Sequence, residues 1–256
     1  PEEVVEWAIR KELKVISITD HDTVSGVENA MKKASLHNKL YVVPGIELSC
    51  QINDEEVHLL GYFIDYKSQS LKEVTDKFKK TRKERAKKIV NKLNSLGINI
   101  SFDEVKSIAY KGNIGRPHIA AALMKKGYID NYEEAFEKYI GKNCFAYVEK
   151  YRLPVQEAIK IVHNIGGISV LAHPGLINNK NSVKDIIKAG IDGIEVYHSK
   201  HNNRHIKLYK EIALEHNLII TGGSDCHGHL IDNSPEIGNF GISYEEFIKI
   251  KKKVQE

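Results

Sequence analysis

The stretch KVISITDHD, residues 14–22, decides the fold: a short β-branched run that closes on Asp20-His21-Asp22. Val15, Ile16 and Ile18 are stiff at the first side-chain torsion and favour an extended backbone, so residues 14–19 read as a strand. Four later runs follow the same plan. YVVPGIEL (41–48), a strand bent at Pro44, carries Glu47, and ISVLAHP carries His173. GIEVYH carries Glu195 and His198, and LIITGGSDCH ends in Asp225 and His227. Helical patterns at 2–10, 25–37, 155–164, 183–189, 203–216 and 244–254 separate these strands. Repeated strand–helix units with short connections predict a parallel sheet, open or closed into a barrel. In such barrels the carboxyl ends of the strands form one face, and that face hosts the chemistry.

The middle of the chain reads differently. Apolar residues at Leu71, Val74, Phe78, Ala86, Ile89, Leu93 and Leu96 follow helical spacing, and Gly97 stops that helix. Helical stretches follow at 102–109, 116–126 and 132–140, with no convincing strand between 99 and 151. The expectation is an α/β barrel domain made of residues 1–97 and 153–256, with a helical insertion at 98–152. Pro1 and the acids after it read as the first turn of a helix without its cap, so the chain is expected to begin inside a structural element, as if truncated.

Bulk properties narrow the function. At 256 residues with 41% hydrophobic and 28% charged side chains, this is the composition of an ordinary globule. No apolar run approaches the roughly 18–20 residues that span a bilayer. Three scattered cysteines argue against a disulfide framework and for the cytoplasm. The net charge of +4 is too weak to argue for nucleic acid. Residues 71–92, however, hold ten Lys/Arg against three Asp/Glu.

Each strand-end group has a bland reading. A lone histidine is more often a hydrogen-bonded surface residue, and Asp-His-Asp could cap the helix near Ser25. Five convergent sites on successive strands outweigh that. Asp225 and His227, two apart on an extended chain, are expected on the same side, with Cys226 turned away. His58 comes from the hairpin partner at 57–64, where antiparallel pairing brings it toward Glu47. His37, His163, His205 and His216 fall on helices and read as solvated. Imidazole and carboxylate without thiolate suit Zn, Mn or Fe, and so many ligands imply a cluster of two or three divalent ions. Such clusters generate hydroxide near neutral pH and clamp phosphoryl oxygens, so no side-chain nucleophile is required. No Ser-His-Asp elbow, P-loop or GxGxxG after a strand is present.

Six motifs then carry a resemblance: ITDHDTVSG (18–26), PGIEL (44–48), VHLLGYF (57–63), GRPHIA (115–120), LAHPG (171–175) and GGSDCHG (222–228). Their order and spacing resemble the PHP (polymerase and histidinol phosphatase) family, over essentially the whole chain. The branch they resemble most is that of small bacterial nucleoside 3′,5′-bisphosphate phosphatases that also act as 5′-to-3′ exoribonucleases. The resemblance implies a distorted (β/α)₇ TIM-like barrel with a helical insertion. It also implies His21, Glu47, His58, His173, Asp225 and His227 as metal ligands, with Asp20 orienting its neighbours. The family's first motif, a His-x-His on strand one, is absent from this chain.

Gly115-Arg116-Pro117-His118 opens a helix, where an arginine fork and free amides can grip phosphate. An ordinary cap is the alternative, and the resemblance, in which this motif is similar to a substrate-phosphate clamp, favours Arg116 and His118 as catalytic or substrate-binding groups. His198 and His201 are further candidates for phosphate or base. Arg82 and Arg85 fall near the apolar stripe of their helix, either reaching inward to phosphate or lying over packed surface. The implied partner is a phosphorylated nucleotide or short RNA; neither a membrane nor an obligate protein partner is expected. A phosphatase for another small metabolite, such as histidinol phosphate, and a crippled metal-binding domain are the competing readings.

Overall fold

The computed structural model describes residues 1–37, 39–109, 113–228 and 230–255. The chain divides into two compact units, residues 1–72 with 152–256 and residues 73–151.

The first unit is built on one curled sheet, a half-barrel flanked by helices. In chain order its elements are α1 (Glu2–Arg10), β1 (Val15–Ile18), α2 (Val27–Ser35), β2 (Tyr41–Ile52) and β3 (Glu55–Tyr62). After α3–α6, described below, come β4 (Leu153–Pro154), α7 (Val155–Asn164), β5 (Ile168–Leu171), α8 (Lys180–Lys188) and β6 (Gly193–His198). The last are α9 (Asn203–Glu215), β7 (Ile219–Gly223), the small hairpin β8 (Leu230–Ile231) and β9 (Ser234–Pro235), and α10 (Tyr244–Gln255). Strand order is β1-β2-β3-β5-β6-β7, with β4 also pairing with β2. β1 and β2 are parallel, β3 runs antiparallel to β2 and to β5, and β5, β6 and β7 are parallel. All strands of this sheet except β3 therefore run one way, and their carboxyl ends share a face.

Packing fixes the register. Val5 and Ala8 of α1 and Val27, Ala30 and Ala34 of α2 are buried with Ile18, Leu40 and Val42. Helical spacing turns these apolar groups toward β1 and β2 and leaves the charged ones outside. Pro44 does not interrupt β2, and it lies opposite Ile18, the last residue of β1. The adjacent Gly45 is required there, since a Cβ would come within 2.5 Å of Ser17 Oγ. β2 runs on to Ile52, further than expected, because β3 pairs with it along its whole second half.

The second unit is helical: most of α3 (Gln69–Ser95), then α4 (Phe102–Ala109), α5 (Arg116–Lys125), α6 (Tyr132–Ala135) and a π-helical turn at Phe136–Ile140. No strand occurs among its described residues. It begins at Glu73 rather than 98, because Ala86, Ile89, Val90 and Leu93 of α3 pack with Val105, Ile119, Leu123 and Ile140. Leu96, read as part of the α3 stripe, is exposed beyond the helix end. No helix among the described residues is long and apolar enough to cross a membrane.

Candidate metal centre

His21 is placed by backbone pairing. Beyond β1 the chain bridges to β2 at His21 and Glu47: Asp22 N–H donates to Glu47 O at 2.8 Å, and Glu47 N–H to Asp20 O at 3.3 Å. Asp22, almost fully buried and left-handed at φ 57°, closes the loop with its carboxylate. That carboxylate accepts Ser49 N–H at 2.7 Å and Ser49 Oγ–H at 2.9 Å. In this loop it is the Asp22 carboxylate that bonds to β2. Asp20 holds Glu47 through its main chain, while its side chain leans over Gly26 at the head of α2.

The β2–β3 hairpin supplies the centre. His58 faces Ser49 in the register, two residues from Glu47, so both side chains leave the same face of the sheet. His58 Nδ1 lies 2.8 Å from Glu47 Oε1, and His173 Nε2 lies 3.3 Å from the same oxygen. The two ring nitrogens are 3.2 Å apart. Burial alone would raise the Glu47 carboxyl, but bonds from His173 and His58 and the nearby His21 hold it well below the carboxylate range. One donor atom each from His21, Glu47 and His58 lies within 4.8 Å of the others. Nitrogen and oxygen lone pairs facing one another around a buried carboxylate fit a divalent cation, and the absence of thiolate fits Zn, Mn or Fe.

The ends of β5, β6 and β7 complete the face. His173 sits at φ 28°, ψ 57°, sparsely populated for a residue with a side chain. Its N–H is taken by Glu195 Oε2 at 2.8 Å. Burial pushes the Glu195 carboxyl up to about 8 against the pull of that N–H, and the negative Glu47 and Asp225 add to the rise. The expectation that Asp225 and His227 continue an extended strand fails. β7 ends at Gly223, and Asp225 is left-handed at φ 51°. They still approach the site, with the His227 ring 6.1 Å from that of His21.

His198 is buried, and Lys200 N–H donates to its Nδ1 at 3.1 Å. The proton is therefore on Nε2, which faces Asp225 Oδ2 at 3.7 Å and has no hydrogen-bond partner. His201 is committed to the fold. Its Nε2 accepts Gly175 N–H at 3.0 Å and its Nδ1 donates to Val196 O at 2.8 Å. Both nitrogens are used, so the expected contact with phosphate or base requires breaking one of these bonds. Gly175 allows the close approach, since a Cβ there would come within 2.6 Å of the His201 ring.

In the helical unit, Arg116 and His118 open α5. His118 Nδ1 accepts Gly115 N–H at 3.0 Å, which leaves the ring proton on Nε2. Arg116 donates one Nη1–H to Ile140 O at 3.3 Å and lies 5.1 Å over the Phe136 ring. Arg82, Arg85 and Arg116 line one cleft with Gly115, Ile89 and Ile119. Arg85 Nε also ties down Val148 O at 2.7 Å.

No family model matches the chain. It is 28% identical over 233 residues to the "5'-3' exoribonuclease Rnm" of Escherichia coli (strain K12), a match covering 89% of this chain and 80% of that protein. To the "3',5'-nucleoside bisphosphate phosphatase" of Chromobacterium violaceum it is 27% identical over 233 residues, covering 89% and 81%. Its fold is similar to that of a candidate metal-dependent phosphoesterase from Bifidobacterium adolescentis. That likeness has a TM-score of 0.85 and 28% identity, over 98% of this chain and 89% of that one.

Proposed function

We propose that this chain, a metal-dependent phosphoesterase of the PHP (polymerase and histidinol phosphatase) family, hydrolyses the phosphate ester of nucleoside 3′,5′-bisphosphates and trims short RNA from the 5′ end. The observation that carries this reading is the convergence of His21, His58 and His173 on the buried Glu47 carboxylate. Two or three divalent ions held by these groups with Asp225 and His227, drawn from Mn, Zn and Fe, would supply Lewis acidity toward a phosphoryl group and toward water.

The chain's own residues have separate tasks. Glu47 remains anionic and offers negative charge between imidazoles. His198 places its Nε2 proton on the side of Asp225, 3.7 Å from Oδ2, where it favours the ionised carboxylate without a hydrogen bond. His118, protonated on Nε2, can donate to a phosphate oxygen and cannot act there as a base. Arg116 supplies a planar fork suited to two phosphate oxygens. Three cysteines scattered along the chain suit work in the cytoplasm.

The test is phosphate release by the Mn-loaded protein from adenosine 3′,5′-bisphosphate, histidinol phosphate and a short 5′-phosphorylated RNA. The bisphosphate and the RNA are expected to turn over. Asp225→Ala is expected to lower turnover by at least about 100-fold with an unchanged circular dichroism spectrum. No release from any ester overturns the proposal, and release from histidinol phosphate alone transfers it to that substrate class.

A further inference from the structure

We propose that the π-helical turn Phe136–Ile140 is the seat of Arg116 and that Phe136 is a positioning residue for substrate phosphate; this rests on the reading of Arg116 as a phosphate-binding group. α6 does not end in an ordinary cap. It widens into one turn of π-helix, a geometry that is rare and that frequently marks functional places. Widening does two things at once. It presents the face of the half-buried Phe136 ring to the Arg116 guanidinium at 5.1 Å, and it turns the Ile140 carbonyl toward Arg116 Nη1 at 3.3 Å. A guanidinium held over a ring face and hydrogen-bonded at one nitrogen keeps four of its five donors and loses most of its freedom to swing. Its plane is then set before an anion arrives, so less entropy is lost on binding.

The turn is itself specified locally. Asn131 Oδ1 caps α6 by accepting Glu134 N–H at 2.9 Å, and Cys144 Sγ donates to the Phe136 carbonyl at 3.4 Å. Gly141 closes the turn, where a Cβ would fall on the Phe136 carbonyl oxygen. Gly141 is thus required by the turn, and it reaches Arg116 only through it. Two substitutions can therefore disturb the seat by different routes: Phe136→Leu removes the ring, and Gly141→Ala displaces the turn and with it the Ile140 carbonyl.

The experiment measures KM and kcat on adenosine 3′,5′-bisphosphate with Mn, and the calorimetric Kd of the same nucleotide for the metal-free protein. Four variants are compared: Phe136→Leu, Phe136→Tyr, Gly141→Ala and Arg116→Ala. Phe136→Leu and Gly141→Ala are expected to raise KM and Kd by roughly three- to tenfold, with kcat within about twofold of wild type. Phe136→Tyr keeps a ring face and is expected to match wild type. If Arg116→Ala weakens binding while Phe136→Leu and Gly141→Ala do not, the seat is overturned and the phosphate role of Arg116 stands. If Arg116→Ala leaves both constants unchanged, or wild type binds no bisphosphate, the reading of Arg116 falls and the seat with it.

Discussion

Asp22 shows how a single carboxylate can fix the geometry of a candidate metal centre through bonds to the backbone and a hydroxyl. Its two oxygens hold the N–H and hydroxyl of the fully buried Ser49, and so lock the loop that carries His21 against the strand that carries Glu47. Asp22→Ala leaves both Ser49 donors buried without that acceptor. The expected cost is about 2 kcal/mol or more, read by urea denaturation, with weaker Mn binding by calorimetry. Unchanged stability and metal affinity would remove Asp22 from this role. Three side-chain-bearing residues at this face, Asp22, His173 and Asp225, take left-handed backbone, and strain of that kind gathers where geometry is over-determined by function. Their chemical types were legible in the sequence. Their backbone conformations were not, because a left-handed residue without glycine leaves no pattern. The extended geometry expected for Asp225 and His227 failed for that reason.

At the scale of elements, local signals carried the helical unit. Gly97, read as the stop of the long basic helix, lies at φ 80°, with Gly97 N–H bonded to Asn94 O and Ile98 N–H to Leu93 O. Those two bonds satisfy the last carbonyls of α3. Ser101 and Glu104 open α4 with reciprocal bonds of 2.7 and 3.2 Å. Glu104 is held down to about 2, first by its bond to Lys126 and then by the Ser101 N–H and hydroxyl. Because this folded value lies below the ordinary 4.5, Glu104 adds stability that is present above about pH 4.5 and is lost as pH falls toward 2. Glu104→Gln should flatten the fall in thermal stability across that window, and an unchanged profile would refute the assignment. The π-helical turn had no such signal. FEKYI follows the YEEA of α6 with ordinary helix formers, and only the close approach of Gly141 to Phe136 sets the wider turn apart.

At the scale of the whole molecule, the candidate centre joins His21, Glu47, His58 and His173, with the His227 ring 6.1 Å from that of His21, and only the folded sheet brings these positions together. Binding there must therefore stabilise the fold. At Mn concentrations about 100 times Kd, roughly 2.7 kcal/mol of stabilisation is expected, a rise in Tm of about 5–10 °C that a chelator reverses. A Tm indifferent to Mn, Zn and chelator would argue against a metal centre. The division into two units sits at Glu73 and Arg152 because α3 buries its apolar face among the short helices. Periodicity showed that α3 is amphipathic but could not say what covers it, since any apolar surface satisfies the same stripe.

What the sequence determined by itself was the alternation of strand and helix, and a polar side chain near each strand end. Both are written in local chemistry: β-branched runs, caps, and the residue that follows each run. Tertiary structure alone decided which of those side chains meet. Glu47, His58 and His173 converge because β3 runs against β2 and β5, while His201 is withdrawn into bonds with Gly175 and Val196. The physical reason is that a ring nitrogen has one lone pair or one proton to give. Only the neighbours supplied by the fold settle whether it goes to the main chain or to a ligand.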